Sequence, residues 1–201
     1  MLFDVARNRR AQKWSNSEQL GRALWALVWP LFRFSPRPLW RWRAFLLRVF
    51  GAQIDDDVHV HPTVLIEIPW NLRIGRYGCV GDRAILYNLG LLTIGSGTTI
   101  SQGAHLCGGT HDYRKSDFPL IKTCITIGEN VWICADAFVG PGVEIGDRAI
   151  LGARAVVIRK VASDSIVAGN PARLIKMRGK VDPFCCSEGV AAPRALPGGH
   201  V

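Results

Sequence analysis

Between residues 54 and 157 an aliphatic residue recurs every sixth position. With that residue as position one of a hexad, the series is Ile54, Val60, Ile66; Ile74, Val80, Leu86; Ile94, Ile100, Leu106; Ile127, Ile133, Val139; Ile145, Leu151, Val157. All fifteen slots are apolar. Position two is often small, as at Gly75, Gly81, Gly95, Ser101, Gly128, Gly140, Gly146 and Gly152. Position five is mostly small or β-branched, with Trp70 as the large exception. A period of six fits neither an amphipathic helix nor an alternating strand. It predicts a parallel β-helix in which each hexad is a short strand and a corner. The aliphatics stack inward as ladders, and a small residue sits where the chain turns sharply.

The spacing also sets the coil. Steps within each triplet are six; steps between triplets are eight (66 to 74), eight (86 to 94), twenty-one (106 to 127) and six (139 to 145). Three hexads therefore make one coil, the chain makes five, and every insertion leaves from the same corner. A long interruption is not needed for a repeat to fold, so it is where function is expected. The longest one opens with His111, which the register places as the last residue of its hexad, followed by the loop 112–126. Asn88, in the third hexad of the preceding coil, falls on the same side.

Ahead of the repeat the pattern turns helical. Leu20–Phe34 is apolar but short, and Arg22, Pro30 and Arg33 interrupt it. No small-residue cleavage site follows it, and no uncharged run is long enough to span a bilayer. Leu39–Phe50 reads as a helix with Leu39, Trp42, Phe45, Leu46 and Val49 on one face, stopped by Gly51. Charge sharpens this division. The net charge is +9, yet residues 1–50 hold ten Arg/Lys against two acids, and residues 51–201 hold fifteen against fourteen. Five of the seven tryptophans also lie in the first fifty residues.

Two readings of this basic, Trp-rich arm stay open. It lies on an anionic membrane surface, where indole and arginine are at home, or it packs on the open end of the β-helix. With no recognition module in view, nucleic acid is not an expected partner. The six cysteines show no CxxC and no metal-ligand spacing, so reduced thiols in a cytoplasmic protein are expected, with no metal. The organisation is thus a helical arm (1–50), a β-helix (51–178) and a tail (179–201) expected to be disordered.

The hexad rule, the Gly109-Thr-His-Asp-Tyr113 segment, Gly128-Glu-Asn-Val-Trp-Ile133, Pro141-Gly-Val-Glu-Ile-Gly146 and Val167-Ala-Gly-Asn-Pro-Ala-Arg173 together span about residues 20–178. As a set they resemble the hexapeptide-repeat acetyltransferases, most strongly the exopolysaccharide (colanic-acid-type) O-acetyltransferases. The resemblance implies a left-handed parallel β-helix and a homotrimer with acetyl-CoA as co-substrate in the groove between adjacent prisms. It also implies direct transfer to a hydroxyl of a sugar or lipid-linked saccharide. His111 then matches the general base: a neutral imidazole takes the hydroxyl proton as the oxygen attacks the thioester, and returns it to the leaving thiolate. Asn88, with Asp112 and Tyr113 on the loop, matches the acceptor side. Trp132 matches the acyl and pantetheine path, and the Ala135 N–H the oxyanion donor. Ala153 matches the pantetheine groove, and Arg173 the CoA phosphates, with Arg159 and Lys176 beside it.

Read from the residues alone, several of these positions keep a plainer alternative. Asn88 suits a turn asparagine, Trp132 suits corner packing, and Arg159 and Lys176 suit solvated charge. The group that orients His111 is open among a backbone carbonyl, Asp112, Asp117 and Glu129. Rival functions are the same chemistry on an antibiotic hydroxyl or an amino-sugar nitrogen, a metal-dependent hydratase needing three converging histidines, and an inert scaffold.

Overall fold

A computed structural model describes residues 5–179; the expectation about the tail beyond them, with Cys185, Cys186 and His200, lies outside the described residues. The hexads form a left-handed parallel β-helix with three flat sides. The first side stacks Gln53–Ile54, Leu72–Ile74, Leu92–Ile94, Ile125–Ile127 and Glu144–Ile145. The second stacks His59–Val60, Cys79–Val80, Thr99–Ile100, Trp132–Ile133, Ile150–Leu151 and Ser165–Ala168. The third stacks Leu65–Ile66, Ile85–Tyr87, His105–Cys107, Phe138–Val139 and Val156–Val157. None of the fifteen position-one aliphatics is more than 5% exposed. Five coils are complete, and a sixth begins beyond the last predicted hexad, where Val161 bridges to Ile145 and Ser165–Ala168 joins the second side. An antiparallel strand, Arg173–Met177, closes that end.

The corners correct one expectation. The sharp turn is made at position four, not position two. Asp57, Tyr77, Arg83, Asn130, Asp136, Arg148 and Arg154 all hold φ between 54 and 60°, in the left-handed region. Position two is small because the next coil runs against it. A Cβ on Gly75 would lie 2.7 Å from the Ser96 nitrogen, and one on Gly95 would lie 2.4 Å from the Gly128 oxygen.

Strand polarity gives the prism two unlike ends. Along the flat sides each coil donates N–H groups to the carbonyls of the next, as in Asp55 N–H to Ile74 O (3.0 Å) and Gly75 N–H to Ile94 O (2.9 Å), while position-four N–H groups at the corners donate back, as in Gly97 N–H to Arg76 O (2.8 Å). The position-one carbonyls of the first coil have no preceding coil to donate to them, a buried polar edge that needs donors. The arm supplies one on each side. It comprises α1 (Val5–Arg10), α2 (Asn16–Arg33) and α3 (Trp40–Val49). Arg48 Nε donates to Ile54 O (2.8 Å), Arg43 Nε to Val60 O (2.6 Å) and Trp25 Nε1 to Ile66 O (3.0 Å). These three carbonyls belong to position one of the first three hexads. Arg43 is wholly buried, and its remaining donors meet the Ser35 hydroxyl and the Pro36 and Arg37 carbonyls.

That arrangement divides the predicted face of α3, keeping only Leu46 of it inward. Arg43, Ala44, Leu46 and Leu47 are inward, whereas Leu39, Trp42, Phe45 and Val49 are exposed. Trp70, the exception at position five, sits on the short turn Pro69–Asn71 beneath the arm. A Cβ on Gly21 of α2 would meet its ring at 2.9 Å.

Candidate functional site

All three insertions leave from the corner between the third and first sides, and the longest is a β-hairpin. The chain departs at Gly108, three residues earlier than the hexad register placed it. Gly109–His111 then pairs antiparallel with Leu120–Lys122, with His111 opposite Leu120. His111 is exposed on this arm of backbone rather than on the prism wall.

The orienting group is a backbone carbonyl. His111 Nδ1 lies 2.7 Å from Phe118 O. A carbonyl only accepts, so Nδ1 carries a proton, and in the neutral imidazole the lone pair is then on Nε2, the tautomer a general base requires. Two of the carboxylate candidates are engaged elsewhere. Asp112 Oδ1 accepts from the side chain and backbone N–H of Arg114, each at 3.1 Å, and these bonds hold its carboxyl below the usual carboxylate range. Asp117 faces Arg7 at 3.9 Å. Tyr113 projects from the same loop, 76% exposed.

Asn88 is a correction. It is 1% exposed, its Oδ1 accepts from Ile68 N–H (3.1 Å) and its Nδ2 donates to Ile68 O (2.6 Å). Its amide ties two successive insertions together and offers nothing to an acceptor. Nor does it cap its own turn: both bonds run to the backbone of the preceding coil.

A cleft that the sequence reading did not single out opens beside the hairpin. It lies between α2 and the third side and holds about 620 Å3. Trp25 and Trp29 form an aromatic wall, and Gln19, Arg22, Glu67 and Tyr87 give polar groups. Arg22 and Glu67 pair at 2.6 Å. Burial pushes the Tyr87 hydroxyl up, with Glu67 adding to the effect. The cleft borders the hairpin, since a Cβ on Gly109 would touch the Tyr87 ring at 2.9 Å. A signal was present in the sequence: Glu67 and Tyr87 are large polar residues at position two of third-side hexads, a position that is often small.

The residues assigned to the donor fall into two groups. Ala135 and Ala153 occupy equivalent hexad positions on successive coils, at the corner between the second and third sides, and Arg154 N–H donates to Ala135 O (2.9 Å). The Ala135 N–H makes no hydrogen bond among the described residues. Trp132 projects from the second side, half exposed, with its Nε1 donating to Ser101 Oγ at 3.0 Å. Arg159 and Arg173 come together with Lys160 around a cavity of about 500 Å3 at the far end of the prism. Lys176, on the closing strand opposite Ile166, does not line it. Within one chain, Trp132 and Ala135 are separated from the His111 hairpin by the whole third side.

Among the described residues no cluster of His, Cys, Asp or Glu has the form of a metal site. Cys79, Cys107, Cys124 and Cys134 are free thiols, and burial raises the pKa of Cys79 and Cys134.

Comparison with known proteins agrees with the fold. The bacterial transferase hexapeptide (six repeats) family matches residues 124–159. The chain is 46% identical over 154 residues to the putative colanic acid biosynthesis acetyltransferase WcaF of Escherichia coli (strain K12), covering 77% of this chain and 85% of that one. It is 30% identical over 138 residues to the galactoside O-acetyltransferase of the same organism, covering 67% and 68%. Among solved structures, the hexapeptide-repeat acetyltransferase VCA0836 of Vibrio cholerae superposes with a TM-score of 0.75 at 25% identity, covering 82% of this chain and 94% of that one. A galactoside acetyltransferase in complex with coenzyme A superposes with a TM-score of 0.77 at 23% identity, covering 88% and 92%, a likeness of fold.

Proposed function

Because the chain belongs to the hexapeptide-repeat acetyltransferases, we propose that it moves the acetyl group of acetyl-CoA onto a saccharide hydroxyl in a ternary complex, with His111 as the base. The observation that carries this reading is the Phe118 carbonyl on His111 Nδ1, which leaves Nε2 free to accept a proton. The acceptor oxygen attacks the thioester carbon while its proton passes to Nε2. The tetrahedral oxyanion takes a hydrogen bond from the Ala135 N–H. Collapse expels the CoA thiolate, which takes the proton back from the imidazolium, leaving an acetyl ester and CoA thiol. No covalent enzyme intermediate is required once both substrates are held together.

The cleft between α2 and the third side suits the acceptor. A sugar offers C–H faces to Trp29 and hydroxyls to Gln19, Arg22, Glu67 and Tyr87. The cavity at Arg159 and Arg173 suits the CoA phosphates, and the small side chain of Ala153 lets pantetheine approach. The hairpin and the donor corner lie on opposite edges of the third side, so a second copy must supply one to the other. A homotrimer with three inter-prism sites meets this need. Incubation with acetyl-CoA and a panel of saccharides, amino sugars and hydroxylated antibiotics tests the assignment. We expect mass gain on saccharide hydroxyls, and transfer at the wild-type rate by His111→Ala at saturating acceptor would remove His111 as base.

The outward faces of the arm support a membrane partner at the cytoplasmic side. Leu20, Leu24, Leu27 and Leu31 on α2, and Trp42, Phe45 and Val49 on α3, are all exposed. Arginines flank them, and no described helix is long and apolar enough to cross a membrane. This composition suits an interfacial helix. Cosedimentation with anionic vesicles, weakened by salt, is the expected result.

A further inference from the structure

The arm touches the hairpin in a way that covering the first coil does not require. Asn8 on α1 reaches across 110 positions of sequence, and its Nδ2 donates to the Asp117 carbonyl (2.5 Å) and to the Phe118 carbonyl. The Phe118 oxygen is the one that receives the His111 Nδ1–H. We propose that Asn8 is a positioning residue for His111: its amide fixes the carbonyl that fixes the imidazole.

The local geometry gives the amide something to hold. Phe118 has φ of 44°, a conformation that a side-chain-bearing residue keeps only with support from outside itself. A carbonyl has two lone pairs, and here Asn8 and His111 take one each. With two hydrogens on one nitrogen and two successive carbonyls to meet, Asn8 sets the peptide plane at the tip of the loop.

The following residues secure the second strand of the hairpin. Lys122 lies 3.7 Å above the Trp14 ring and 3.5 Å from Glu18 Oε1. The other Glu18 oxygen accepts the Ser15 N–H at 2.8 Å in the capping box that starts α2. The segment from Asn8 to Glu18 is thus a strap from the first helices to the loop that carries the base. This proposal rests on the reading of His111 as base, which gives it a consequence for rate.

The test compares Asn8→Leu, which keeps the volume and removes both donors, with Asn8→Gln, which keeps an amide. Losing the hydrogen bond that holds the Phe118 carbonyl, at ordinary net strength, should lower kcat by about tenfold in Asn8→Leu, with KM for acetyl-CoA unchanged. Asn8→Gln should recover most of that loss. Nitrogen-15 NMR of the unliganded protein should show His111 in the Nδ1–H tautomer for wild type and a mixture for Asn8→Leu. A kcat for Asn8→Leu within about twofold of wild type overturns the proposal, as does an unchanged tautomer. The spectrum needs no turnover, so it judges Asn8 even if His111→Ala proves fully active and the base assignment falls. Conversely, an inactive His111→Ala beside a fully active Asn8→Leu removes the strap and keeps the base.

Discussion

The prism and the hairpin join at Gly108 and are held by different means. In the prism a residue's place follows from its neighbours six positions away, and the aliphatic ladder is shut off from water along its whole length. In the hairpin, Gly109–His111 and Leu120–Lys122 carry half-buried and exposed side chains. Its fixed points come from the arm, through Asn8 to Phe118 and Glu18 to Lys122, more than one hundred positions away. The repeat therefore buries what gives stability, and the hairpin proposed to carry the chemistry stands outside that core.

Two substitutions five residues apart should separate these roles. His111→Ala should lower kcat by roughly 10²–10⁴-fold, the range for loss of a general base, while thermal unfolding stays as in wild type. Leu106→Ala removes a fully buried ladder residue and should cost about 2–5 kcal/mol in denaturant unfolding. Its activity, measured where it is folded, should stay close to wild type. If His111→Ala unfolded as easily as Leu106→Ala, the division between frame and chemistry would fail.

The same division explains what the sequence disclosed. All fifteen aliphatic slots and the single insertion corner were legible, because the six-residue period is a local property of the chain. Position four was missed: its occupants, among them Asp57, Tyr77 and Arg148, share only a backbone angle. The Phe118 carbonyl could not be singled out because every residue has one. Asn88 misled because a polar residue on the right side of the prism says nothing of whether its amide is already bonded. The cleft at Glu67 and Tyr87 depends on where α2 lies, and α2 takes its place through donors such as Trp25 that composition alone assigns equally to a membrane.

The arm belongs to the frame where it meets the first coil, and Arg43 is the residue that tests this. Arg43→Ala leaves the buried Val60 carbonyl without its side-chain donor, together with carbonyls of the turn between α2 and α3. The expected loss is about 3 kcal/mol, from buried acceptors left unpaired. Arg43→Met restores volume without donors and should recover only a small part. Equal stability of Arg43→Met and wild type would show that the arm is held by packing, and that the open carbonyl edge does not matter.

The smallest effect should separate two histidines six residues apart. His105 lies on the third side, edge-on to Phe138 at 5.3 Å between ring centres, whereas His111 is out on the hairpin. Burial disfavours the His105 imidazolium and lowers its pKa from the ordinary 6.5. The unfolded chain therefore binds this proton at a higher pH than the folded one. The contribution of neutral His105 to stability is complete above the unfolded pKa and declines as pH falls through the folded one. Denaturant unfolding measured from pH 7.5 to 5 should show that decline in wild type and a shallower one in His105→Gln. Parallel curves for wild type and His105→Gln would mean that the third side admits enough water to cancel the effect of burial on its histidine.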